Sequence, residues 1–314
     1  MSAECLCGQN IGNLASPNCP PLIGKILKVN FQNRFQDNGT ENYLDTTTTL
    51  NKAFWDALQY HTNTSIRWYP ISEQLEEVDT PKEDTHKKTY KSGRIVKLKQ
   101  GVRNFKATIP VVAAPLVDKI NSRGCTKDSV YFFTTKGVLG WRKEAGKLHG
   151  IPVATDSLDA VLQLQNEDDP QRIELMLQWA DTVTDGQLAI IPYSEITGID
   201  LLNAFMGKLD TNIVQVGTGT ATVIVVDIYL DYGDAVNMIP VEGLVEADVQ
   251  LYNVTDSAVI SKTFVESATV PGRYTITVSA QTVTDIERLS LLSTDAAKHF
   301  DDATWADVQL KHQA

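Results

Sequence analysis

Hydrophobic and polar positions alternate along much of this chain, and that period predicts strands more often than helices. In the stretch KILKVNFQNRF, Ile26, Lys28, Asn30 and Gln32 oppose Leu27, Val29 and Phe31. This pattern predicts a half-buried strand over 25–36, turned by Asp37-Asn38-Gly39. Residues 129–142 read as a hairpin, with Val130-Tyr131-Phe132-Phe133 before a Lys136-Gly137 turn and Val138-Leu139-Gly140-Trp141 after it. Two more strands are predicted at 161–165 and 172–180, joined by an acidic turn. In the second, Ile173, Leu175, Leu177 and Trp179 alternate, as in an antiparallel sheet with one dry face.

Helical spacing appears in three places. Leu50, Phe54, Trp55 and Leu58 share a face over 50–61, with N-cap candidates in the threonine run 46–49. The two aromatics read as core. A short helix is predicted over 115–122, opened by Pro115 and closed by Gly124. A third is predicted over 199–209 from Leu201, Leu202, Phe205 and Leu209.

The pattern shifts near 210–220, a Gly/Thr-rich stretch that suits a linker or a strand entry. Beyond it, a strand signal at 223–230 is followed by VEADVQLYNVT, SAVISKTFV and GRYTITVSA. Short strands rich in Val, Thr, Tyr and Ile at regular spacing predict an immunoglobulin-like β-sandwich, here without a cysteine pair. Helical patches such as residues 296–300 are placed in the tail. The expected fold is mainly β (α+β): an antiparallel β-sandwich or curled sheet with a flanking helix, plus the C-terminal sandwich. The expected organisation is an irregular arm at 1–24, broken by Gly and Pro, a β-rich assembly domain at 25–210, and the second domain with its tail at 218–314.

Charge sharpens this picture. The 314-residue chain carries −11. Between Pro81 and Lys106, nine basic residues face only Glu83 and Asp84, so this strip is about +7 and the rest of the chain about −18. The strip contains a Ser92-Gly93 turn and alternating Ile95 to Lys99, which predicts a long two-sided polar hairpin over 80–110. A long exposed hairpin invites pairing with other chains, and lysines blunt its edge. Tyr90 and Phe105 among the cations also suit a single nucleic-acid strand, and a merely solvated hairpin is a third reading. The acidic body disfavours a grip on phosphates, although it suits a wall past which DNA slides. A basic strip on an acidic body favours self-association. Lys82, Lys87, Lys88, Lys91, Arg94 and Lys97 are therefore the candidate inter-subunit contacts.

No signature of chemistry accompanies the charge. The chain has no phosphate-binding glycine loop, nucleophile elbow or HExxH pair, and His61, His86, His149, His299 and His312 are scattered. Asp156, Asp159, Glu167, Asp168 and Asp169 lack calcium-loop spacing. Cys5, Cys7 and Cys19 cluster without a fourth ligand and read as reduced thiols. No catalytic residue, cofactor or metal is expected. The N-terminus lacks secretory-leader features and no apolar run is bilayer-length, so a soluble, cytosol-made protein with no membrane partner is expected.

The segments CLCGQNIGNLASPNCPPLIGKILKV, TLNKAFWDAL, SIRWYPI, QGVRNFKATI, DKINSRGCTKDSVYFFTTKGVLGW and SEITGIDLLNAF, in this order, resemble virion structural proteins of tailed phages that infect Bacteroidetes. The resemblance covers about residues 4–210. It implies a tail tube protein assembled in the host cytoplasm and carried in the phage tail. Hexameric rings would stack through hairpins around a channel that passes DNA without specific binding, beside other virion proteins. A head–tail connector, ring or capsid-decoration protein is the alternative within that class. A carbohydrate- or receptor-binding β module is the alternative outside it, with Tyr229, Tyr232, Tyr252 and Tyr274 as candidate aromatics.

Overall fold

A computed structural model describes residues 23–99, 101–110, 114–167, 170–231, 238–279, 287–292 and 305–308. The chain is mainly β, with several antiparallel sheets. Strands of three residues or more are, in order, β1 (Ile26–Asn33), β2 (Trp68–Pro70), β3 (Glu76–Asp79), β4 (His86–Thr89), β5 (Ile95–Lys99), β6 (Asn104–Pro110), β7 (Asp128–Thr134), β8 (Gly137–Trp141), β9 (Asp159–Gln163), β10 (Arg172–Gln178) and β11 (Leu188–Pro192). Helix α1 (Lys52–Gln59) precedes β2, and α2 (Pro115–Ser122) precedes β7. The C-terminal part holds β12 (Thr211–Gln215), β13 (Val223–Leu230), β14 (Val249–Asn253), β15 (Lys262–Glu266), β16 (Arg273–Val278), β17 (Glu287–Leu291) and β18 (Trp305–Val308).

One sheet runs β11-β8-β7-β1-β2, and a second runs β9-β10-β6-β3. They bury a shared core. Val29, Phe31, Val130, Phe132 and Trp141 come from the first sheet, and Phe105, Ala107, Ile109, Ile173 and Leu175 from the second. The dry face expected of β10 is present, with Ile173, Leu175, Leu177 and Trp179 all buried. The other face of the first sheet carries another cluster, where Trp55 of α1 meets Trp68, Tyr131, Phe133 and Phe205. Trp55 lies edge-on to Trp68 at 5.5 Å between ring centroids, and Trp68 stacks on Tyr131 at 4.4 Å. The first sheet is thus covered on both sides.

That double cover corrects the half-buried reading of β1. Its polar residues Lys28, Asn30 and Gln32 are buried, facing the aromatic cluster across from Phe133, Tyr131 and Trp68. The helix expected over 199–209 is absent. Residues 201–204 form turns instead, with Leu201 and Phe205 buried. The Asp200 carboxylate accepts the Leu202 amide at 3.0 Å, and Lys28 Nζ donates to the carbonyls of Phe205 at 2.7 Å and Leu202 at 3.3 Å. Those carbonyls are turned toward the ammonium rather than into a helical ladder. Helix α1 takes its N-cap from Asn51, whose side chain accepts the Phe54 amide at 3.0 Å, not from the threonine run.

The C-terminal strands build a sheet β12-β13-β16-β15 and a sheet β14-β17-β18 extended at its edge by Ala258–Val259. Both contribute to one core, including Ile224, Val226, Leu251, Tyr274, Ile276 and Leu289. Ile213 belongs to that core, so β12 is part of this unit, which begins before the expected residue 218. Lys119 of α2 bridges the junction, pairing with Asp210 and, at 3.0 Å, with Asp231. The helical tail reading at 296–300, the arm at 1–22, Cys5, Cys7, Cys19, Asp168, Asp169, Tyr232, His299 and His312 lie outside the described residues.

Candidate assembly surface

The basic strip does not fold as one hairpin over 80–110. Its end, β6, is an interior strand of the second sheet, with Phe105, Ala107 and Ile109 buried. Its middle, β4 and β5, is a separate two-stranded sheet. The split follows the pattern: residues 104–110 carry core-sized side chains on one face, whereas His86 to Lys99 has six cations and no carboxylate.

Pairing places His86 opposite Lys99, Lys87 opposite Lys97, Lys88 opposite Val96 and Thr89 opposite Ile95. The turn closes with the Gly93 amide donating to the Tyr90 carbonyl and the Tyr90 amide to the Arg94 carbonyl, both at 2.9 Å. Gly93 sits at φ +79°, a left-handed position that this three-residue loop reserves for glycine. The expected Ser92-Gly93 turn is therefore in place. Every residue of β4 is exposed, Ile95 is 63% exposed, and Lys88 Nζ lies 5.3 Å from the centre of the Tyr90 ring.

Of the six candidate contacts, Lys87, Lys88, Lys91, Arg94 and Lys97 lie on this ribbon. Lys82 does not. It donates to the Asp185 carboxylate at 2.6 Å, which Arg103 also reaches at 3.1 Å. These bonds hold the Asp185 carboxyl below its usual range, the Lys82 hydrogen bond contributing most. Arg103 also donates to the Thr80 carbonyl and lies over Trp179, 5.5 Å from the ring centre. This cluster roots the ribbon in the body. Sequence reasoning missed Asp185, which stands more than eighty residues from both partners.

Acidic surface lies beside that root. Edge strand β3 carries Glu76, Glu77 and Asp79, with Glu73 just before it. Glu77 adopts φ +47° between the two paired positions of β3, and its carboxylate accepts from Thr108 at 3.1 Å. Such an edge bulge discourages indiscriminate strand pairing.

Two further groups have the look of chemistry. Lys28 is fully buried, and burial pulls its ammonium down to about 8 despite Glu73 and Asp200. Both of its hydrogen bonds go to carbonyls of the 201–205 turns, so it acts as a structural clamp. His149 is buried with Nδ1 at 3.2 Å from the Asn42 carbonyl and 3.9 Å from Glu41, and burial lowers its basicity. Glu41 is itself held by Arg34 at 2.7 Å and Lys143 at 2.8 Å. The tyrosines weighed for glycan contact are not displayed as a platform: Tyr274 is buried and donates to the Val241 carbonyl at 2.7 Å, while Tyr229 and Tyr252 are half-buried.

Comparison with protein families, curated proteins and solved structures found no match to this chain.

Proposed function

We propose that this protein is a self-assembling structural protein of a phage virion, a tail tube protein whose rings stack around a DNA channel. The observation that carries this reading is the β4–β5 ribbon. An isolated two-stranded ribbon is marginally stable in water. Here Lys87 and Lys97 stand directly opposite each other, a like-charge pairing that weakens it further. Ribbon sequences of this kind gain most when carboxylates of another surface meet them. The body supplies such carboxylates in the Glu73 to Asp79 segment, so copies of the chain are complementary to one another. The two-sheet C-terminal unit fits an immunoglobulin-like sandwich decorating the outside of the tube. No catalytic residue enters this account.

Charge reversal tests it. The triple variant Lys87→Glu, Lys88→Glu, Lys91→Glu should sediment as free subunits while its circular dichroism matches the parent. A variant that assembles as well as the parent would overturn the charge-matching account.

A further inference from the structure

The outer edge of β11 borders a groove that nothing in the proposed ring contacts uses. Backbone hydrogen bonds fix which atoms face it. The Arg142 amide donates to the Gln187 carbonyl at 2.7 Å, and the Tyr193 amide to the Lys136 carbonyl at 3.2 Å. In this register Ala189 and Ile191 bond inward to Gly140 and Val138. Ile190, between them, therefore turns its N–H and C=O outward. Among the described residues no strand pairs that edge.

The edge forms one wall of a groove of about 670 Å³. Residues 46–49 and Leu50 form much of the other wall, with Lys147, Arg142 and Glu195 also lining it. A strand edge beside a trough is the receptor half of β-strand addition.

The chain itself points to the occupant. It enters the described body at Ile23, and Gly24 lies against Thr135 and Lys136 so tightly that a side chain there would collide with both. Lys136 is the residue whose carbonyl holds Tyr193, next to Pro192 at the end of β11. Residues 1–22 thus begin beside one end of the groove. Even seven extended residues span about 23 Å, against about 17 Å for a five-residue strand. Prolines 17, 20 and 21 lie nearest the body and cannot serve a ladder, whereas residues 1–16 contain none. Glu4 is the only charged side chain in residues 1–22, so the segment brings no repulsion to a groove with two cations and one carboxylate.

We propose that residues 9–16 of the same chain add to β11 as a further strand, pairing with the outward N–H and C=O of Ile190. Attachment at the groove's end gives the segment a high effective concentration there, which favours its own chain over a second copy. The inference does not depend on the tail tube reading.

Amide hydrogen exchange at Ile190 tests it in three proteins: the full chain, a chain lacking residues 1–22, and the full-length double variant Ile11→Pro, Asn13→Pro. The expected result is at least tenfold slower exchange in the full chain than in both variants, unchanged on dilution. A synthetic peptide of residues 9–16 added to the truncated chain should restore protection. The proline variant keeps the test valid if truncation impairs folding. Equal exchange in the full chain and the proline variant would overturn the proposal. Protection that disappears on dilution would overturn it in favour of a second copy's segment.

Discussion

Lys28 shows how much one side chain can decide. Its ammonium is buried and gathers two carbonyls that would otherwise lack donors. A lysine with a folded-state pKa near 8 and an unfolded value of 10.5 binds fewer protons folded than unfolded between those limits. Stability therefore rises with pH across that window, and the penalty of the buried charge is fully present below it. Urea unfolding of the parent at pH 8 and pH 10 should show this gain relative to Lys28→Met, which lacks the titrating group. A parallel pH response of the two proteins would contradict it. Asp185 works in the opposite direction. Its lowered carboxyl stabilises the fold above the unfolded pKa, and this is lost as pH falls through the folded value. The carboxylate is half exposed, so Asp185→Asn should cost under about 1 kcal/mol at pH 7. Its unfolding midpoint should also fall less steeply than the parent's between pH 5 and pH 3.

At the scale of elements, the ribbon and its turn follow local rules. Gly93 is the position to test, because alanine there must hold a left-handed backbone. Gly93→Ala should speed hydrogen exchange across 86–96 several-fold while leaving 104–110 protected; equal acceleration in both would mean that the ribbon is not an independent unit. The elements legible in the sequence were those whose signal is local. Helix α2 has its proline start, the β7–β8 hairpin its Lys136-Gly137 turn, and β13 the 223–230 strand expected for it. The failures were non-local. Lys28, Asn30 and Gln32 look like a wet face until a second layer covers them. The apolar spacing at 201–209 looks helical until Lys28 claims its carbonyls. The hairpin looked continuous over 80–110 because alternation alone does not tell an interior strand from a free ribbon. Of the candidate contacts, five were placed on that ribbon by sequence, while the Asp185 anchor of the sixth depends on a contact between distant segments.

For the whole molecule, the separate C-terminal core matters most. It shares no residue with the two clusters of the N-terminal part, and Lys119 ties its first strands to α2 through Asp210 and Asp231. A chain cut after Asp210 should stay folded and still assemble if the C-terminal unit is decoration. Loss of assembly from a folded remainder would make that unit part of the wall. The acidic body and basic ribbon also predict that assembly weakens with salt, since exposed charges are screened over about 10 Å at 0.1 M ionic strength.

Electron microscopy of the purified full chain, with mass from light scattering at the same concentrations, tests the central claim most directly. The account predicts closed rings, six subunits each, that stack into tubes. A uniform monomer at every concentration would contradict it.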